Sequence, residues 1–212
     1  MLSFLLLPSL KRSIVLLSIG LFYFQNSIAS NYYWIGNGGN WNSISHWATT
    51  SGGTTLHTQL PTATDDIFFD ANSFTLPGQT VNFNQASMTA HHINCTGVLN
   101  NPSWDGGIPN ILEIYGSLTL VPNMTVNFTG QIRFLSTTNG QTITTAGKNF
   151  AAFLFYSTSG EWTLLDSLNC TGWLNLAAGT LNTNDKTINA EALYSGGSLT
   201  RTLNMGASVF NL

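Results

Sequence analysis

Apolar residues along this chain come in short alternating runs rather than at helical spacing. Ile111-Leu112-Glu113-Ile114-Tyr115 is followed by Leu118-Thr119-Leu120, Thr125-Val126-Asn127-Phe128 and Gln131-Ile132-Arg133-Phe134. Between them stand Gly116-Ser117, Pro122-Asn123 and Thr129-Gly130, residue types that turn the backbone. No window sets apolar residues at i, i+3, i+4 and i+7 between caps. Strands of three to five residues separated by turn residues predict an all-β fold.

The runs also repeat. Ile93-Asn94-Cys95-Thr96-Gly97-Val98-Leu99 matches Leu168-Asn169-Cys170-Thr171-Gly172-Trp173-Leu174, and Val126-Asn127-Phe128-Thr129-Gly130-Gln131-Ile132 is a third copy. The shared text is aliphatic, Asn, apolar, Thr, Gly, any residue, aliphatic. A second text opens with Gly and a hydroxyl residue before Leu, at Gly116-Ser117-Leu118, Gly179-Thr180-Leu181 and Gly197-Ser198-Leu199. Degenerate β repeats at uneven spacing predict a right-handed parallel β-helix, a solenoid in which each coil buries a ladder of aliphatic side chains against its neighbours. The alternative is a β-sandwich. It calls for tight hairpin turns between alternating strands, for which Asn139-Gly140 is the one good candidate.

The repeat makes the two cysteines readable. Cys95 and Cys170 fill the same slot as Phe128, so both face the interior as small apolar fillers. At ~20 to 25 residues per coil, the 75 residues between them are about three coils. At ~4.8 Å per coil that is roughly 14 Å, beyond the ~7 Å reach of a disulfide. Two free, buried thiols and no disulfide are expected.

Three segments follow from the patterning. Residues 1–29 read as a secretory signal peptide: Lys11-Arg12, the apolar run Ser13 to Phe24, then Ser27-Ile28-Ala29 as a small-x-small cleavage pattern. The run is shorter than the ~20 apolar residues of a membrane span, so no transmembrane segment is expected after cleavage. Residues 30–75 read as an aromatic cap with the first strands, and 76–212 as β-helix coils. The last of these, Ser208 to Leu212, stop within a strand pattern, as a truncated solenoid would. The mature chain has four basic and nine acidic residues, a net charge of −5. That leaves no basic patch for nucleic acid, and the low charge suits an extracellular β-rich protein.

Few residues suggest chemistry. Of His46, His57, His91 and His92 only the last two are adjacent, and strand neighbours point to opposite faces, so no zinc set is expected. Asp65-Asp66-Ile67-Phe68-Phe69-Asp70 is the one acidic cluster. Asp65, Asp66 and Asp70 are candidate calcium ligands through hard carboxylate oxygens. The plainer reading has Asp65 and Asp70 tying down turn amides on either side of a strand. Asp66 and Asp70 would lie roughly 13 Å apart along a strand, too far for the ~5 to 9.5 Å of a glycosidase acid/base pair. No Gly-x-Ser-x-Gly elbow occurs. No catalytic residue is assigned, and no cofactor other than calcium is considered. The Asn-x-Thr triplets at Asn94, Asn123, Asn127 and Asn169 are largely a by-product of the repeat.

Residues 31–47 hold Tyr32, Tyr33, Trp34, Trp41 and Trp47 without a single charge. Exposed, these five rings would make a carbohydrate-binding platform. Buried, they would cover the first coil, since terminal repeats of a solenoid are atypical caps. Their place just ahead of the first repeats favours the cap, with Tyr32 or Tyr33 left partly in water.

The stretch Tyr32-Tyr33-Trp34-Ile35-Gly36, with Gly39-Asn40-Trp41, His46-Trp47, Pro61 and Asp65-Asp66-Ile67-Phe68-Phe69-Asp70, resembles the opening of large β-helical surface proteins secreted by gliding bacteria of the Bacteroidetes group. The resemblance extends through Pro77-Gly78-Gln79-Thr80-Val81, Gly160-Glu161-Trp162-Thr163-Leu164 and Thr202-Leu203-Asn204-Met205-Gly206. It implies a secreted or outer-surface, adhesin-like module without catalytic residues to carry over. Such proteins usually continue into further repeats and a C-terminal sorting domain, which this sequence lacks. The function expected is non-enzymatic, with extracellular glycans or cell-surface components as partners. The chain would act as a monomer or as part of a longer solenoid. The alternatives are a polysaccharide-acting β-helix enzyme, which needs a cleft with two carboxylates or a carboxylate beside a basic group, and a dedicated carbohydrate-binding module.

Overall fold

The computed structural model describes residues 29–212. The expected leader therefore lies, except for Ala29, outside the described residues. From Asn31 onward the chain winds into a parallel β-solenoid of about seven turns. The sandwich alternative is set aside by strand direction. Every strand pair is parallel except one, between Asn31–Trp34 and Trp47–Ala48.

Each coil has three β faces, met in the same order. Strand Ile93–Asn94 lies on the first face, Ser103–Gly106 on the second and Ile111–Ile114 on the third, and Leu118–Thr119 then returns to the first, one rung on. Alternation decides what is buried, because successive side chains point to opposite sides of a strand. On the first face Tyr32, Ile67, Ile93, Leu118, Ile143 and Leu164 pair in unbroken register, all buried. On the third face Met88, Leu112, Ile132, Phe153 and Leu174 do the same, beside Ala90, Ile114, Phe134, Phe155 and Leu176. Each full burial of such an aliphatic or aromatic side chain favours folding by ~1.5–3 kcal/mol.

Coils shorten from the first to the two long strands, then lengthen slightly in the last, where Leu181 and Leu203 are 22 positions apart. Corresponding first-face residues Ile67, Ile93, Leu118, Ile143 and Leu164 are 26, 25, 25 and 21 positions apart. As the corner loops shrink, strands merge. Asn149–Leu164 and Leu168–Asn182 are single strands of 16 and 15 residues that run over all three faces. They turn the corners through register shifts such as that between Phe150 and Ala152, where an extra residue bends the strand.

The outer surface carries matched polar rungs. Asn169, Asn189 and Asn211 stand one above another, each later carboxamide donating to the Oδ1 of the one before at 2.7 and 2.6 Å. Asn204 donates in the same way to Asn182 at 2.6 Å, and Asn182 to Glu161 at 2.7 Å. The recurring Asn of the sequence repeat is thus an outward ladder residue in its copies at 127 and 169.

One sequence equivalence is corrected. Cys170 pairs laterally with Phe150 on the second face, whereas Cys95 directly follows Ile93–Asn94 on the first. The same text recurs at different corners because each corner needs an inward residue followed by a turn. Both thiols are buried and free. Replacing Ile143 by Ala is expected to cost ~2–5 kcal/mol in urea unfolding, while Thr142→Ala on the outward side of the same strand stays within about 0.5 kcal/mol.

Candidate functional site

The aromatic stretch at 31–47 is a lid. Asn31–Trp34 is the first rung of the first face, and the chain then loops away and returns Trp47–Ala48 antiparallel along its free edge, pairing Trp34 with Trp47 and Tyr33 with Ala48. Trp47, with 0% exposure, is the hub. Its ring meets Tyr32, Trp34 and Trp41 edge-on at centroid distances of 6.0, 5.0 and 4.9 Å, the T-shaped geometry favoured by ring quadrupoles. Its indole N–H donates to the Trp41 carbonyl at 2.8 Å, and that of Trp34 to the Asn37 carbonyl at 2.6 Å. His46 stacks flat on Trp34 at 4.5 Å. A Cβ on Gly39 would collide with that imidazole, so glycine there lets the ring close over the lid. The carbohydrate platform is corrected accordingly. Tyr32, Trp34, Trp41 and Trp47 are buried and offer no ring face, and only Tyr33 is partly exposed, stacked on Phe68 at 4.9 Å.

The three acidic candidates have separate tasks. Asp65 is buried, and its oxygens accept from the Ser30 amide at 2.9 Å, the Thr62 amide at 2.8 Å and the Thr62 hydroxyl at 2.6 Å. Asp70 lies past the end of strand Asp66–Phe68 and accepts from the Asn72 amide at 2.9 Å, closing a turn. Asp66 faces a different neighbour, His91. Asp65, Asp66 and Asp70 therefore form no common calcium cage. Among the described residues one group of three potential ligand atoms falls within 4.8 Å: Asp66, His91 and His92.

Sequence reasoning missed this group because it treated His91 and His92 as strand neighbours. They sit at the corner between Ser87–Ala90 and Ile93–Asn94, where strand alternation lapses, and their rings lie 3.9 Å apart. The Asp66 carboxylate accepts from His91 Nδ1 at 2.8 Å and from the His92 amide at 3.3 Å. His91 is thereby held by its Nδ1. His92 is fixed oppositely: its Nδ1 accepts from the Ser117 amide at 2.7 Å, so its proton sits on Nε2. Burial, helped by neighbouring His91, lowers the His92 pKa against the pull of Asp66. Two nitrogens and one carboxylate oxygen suit zinc or a similar transition ion better than calcium. In the present arrangement, though, His91 Nδ1 is engaged by Asp66 and His92 Nδ1 by the Ser117 amide. The cluster as built locks a corner.

Beside it runs a groove of about 400 Å³, lined by Ala63, His91, Tyr115, Ser136 and Thr138 among others. The Tyr115 hydroxyl is pushed above its usual pKa, by burial first and by Glu113 second. A second groove, of about 440 Å³, lies at the corner between the second and third faces and is bordered by Trp173. Among the described residues no helix is long and apolar enough to cross a membrane. The chain matches no family model, no curated protein and no solved structure.

Because the folded state disfavours charged His92, the unfolded chain binds more protons once pH falls below the ordinary His value of about 6.5. Stability from this site is full above that pH and declines as acidification protonates the unfolded chain. Urea midpoints measured from pH 8 to 5 should show the decline, and His92→Gln should remove its share. Burial also pushes the Cys95 thiol far up. In the native protein iodoacetamide should leave Cys95 unmodified and react with it only after denaturation, as read by mass spectrometry.

Proposed function

We propose that the protein is an exported, non-enzymatic, adhesin-like surface module that holds a rigid three-sided stack against extracellular glycans and other cell-surface components. The observation that carries this reading is the character of the outer faces. Neutral amide and hydroxyl rungs repeat coil after coil, as at Asn169–Asn189–Asn211 and Thr80–Ser103. Charge on the described residues is sparse, with two ion pairs, His91–Asp66 and Arg133–Glu113. A neutral hydrogen-bonding surface repeating at ~4.8 Å makes many weak contacts with a polyhydroxylated partner, and weak contacts add when several copies are displayed together. The signal-like text at Lys11–Ala29 supports export.

A polysaccharide-acting enzyme is the second reading. It is favoured by the Asp66–His91 pair, whose imidazole lines a groove shared with Tyr115. Incubating the purified protein with a polysaccharide panel separates the two. The module reading predicts weak binding that strengthens many-fold when the protein is displayed on beads, with no new reducing ends. Reducing-end release that disappears in His91→Ala would replace it with the enzyme.

A further inference from the structure

The chain has six tryptophans. Trp34, Trp41, Trp47, Trp104 and Trp162 are buried, and each packs against other rings. Trp173 differs on both counts: it is part-exposed, and no ring pairs with it among the described residues. A tryptophan left partly in water with no ring packed on it offers apolar area to a ligand.

Its surroundings make a concave site. Ile111, Gln131, Ala152 and Trp173 are lateral partners on four successive coils, on the outward side of the third face. Three steps of ~4.8 Å make a row of roughly 14 Å. Gly130 and Gly172 line the groove at the adjoining corner, and a Cβ on Gly172 would stand 2.6 Å from the Ala151 carbonyl, so the groove stays open because the corner admits only glycine there. At the end opposite Trp173, Ile108 projects with 86% exposure. Polar groups are few and held. Arg133 Nε donates to Gln131 Oε1 at 2.5 Å, which turns the Gln131 amide N–H groups away from that bond. Asn110 is pinned by donating to the Phe83 carbonyl at 2.5 Å. No charged side chain lines the groove.

We propose that this groove is a subsite for a neutral polysaccharide, whose sugar ring stacks on Trp173 while its hydroxyls meet Gln131, Asn110 and Thr129. The proposal rests on the glycan-contacting module reading and gives it a location. A mostly apolar lining with a few positioned polar groups is the general make-up of a small-ligand site, and an aromatic face with carboxamides beside it matches a sugar, apolar on its C–H faces and polar at its rim. The lining selects against other planar occupants. A nucleobase would bring phosphates, which need cationic partners. No cation lines the groove, the Arg133 guanidinium beside Gln131 is engaged by Gln131 and Glu113, and the mature chain is net negative. The same lack of cations disfavours uronic-acid or sulfated chains. Tyr194, 55% exposed, stands on the same face one coil on and two positions along from the Trp173 rung, which extends the platform in the direction a longer chain would run.

Affinity electrophoresis and tryptophan fluorescence test it with xyloglucan, galactomannan and laminarin as neutral probes and alginate as the anionic one. The expected result is retardation by at least one neutral polysaccharide with a change in tryptophan emission. Trp173→Ala should weaken binding by about tenfold or more, equivalent to ~1.4 kcal/mol, and Trp173→Phe should restore part of it. Trp173 lies outside the buried core cluster, so both variants should keep the wild-type circular dichroism, which shows that they are folded. Undiminished binding by a folded Trp173→Ala protein overturns the subsite and leaves the module reading standing. Binding of alginate alone also overturns the subsite. A wild-type protein that binds none of the four overturns the subsite, and silence across a wider glycan array removes the glycan-contacting reading as well.

Discussion

No coil of this protein has a second layer to bury its inner side chains against along the axis except the coil before and the coil after it. The register of the inner ladders is the constraint on which everything else depends. Ile143 is covered because Leu118 lies one rung before it and Leu164 one rung after. A shift of one residue would turn the whole strand inside out. Parallel stacking also leaves an edge at each end of the solenoid, and edges of unpaired amides and carbonyls invite unwanted pairing.

The lid answers that problem at the first coil. A two-residue strand, Trp47–Ala48, reverses direction relative to everything beneath it, and its outer edge is taken up by residues 55–57 through the Ala48–Leu56 bridge and the His57 amide donating to the Trp47 carbonyl. Its small backbone contribution is offset by ring area, with Trp47 seated among Tyr32, Trp34, Trp41 and Phe69. Aromatic enrichment at one end of a solenoid is therefore explained by packing before recognition is invoked.

The sequence already displayed the alternation that makes the strands and the recurring aliphatic, Asn, apolar, Thr, Gly text that makes a solenoid, because both are properties of neighbouring residues. What it hid depended on where corners fall. Asn94 and Asn169 share their local text yet lie on different faces, since each coil has three corners and the text marks any of them. His91 and His92 converge on Asp66 only because a corner interrupts alternation between them. Trp173 was partly legible: it occupies the unspecified slot of the repeat, as Gln131 does, and both point outward. The sequence could not reveal that this slot lies beside a groove bordered by the loop at 108–110, three coils earlier.

The shortening of the coils divides the chain by its exposure to proteases. Early coils are joined by longer connections, which are anchored by buried residues such as Phe69, Phe74 and Val98 but carry exposed stretches at 50–52, 54–56 and 75–78, whereas Asn149–Leu164 and Leu168–Asn182 are each paired along much of their length. A protease needs several residues free of such bonds to seat a chain in its cleft. Digestion would therefore begin at the exposed stretches of the early connections and at the exposed loop 195–200 of the last coil, sparing the two long strands between them, and chain length is most easily gained or lost in those same loops.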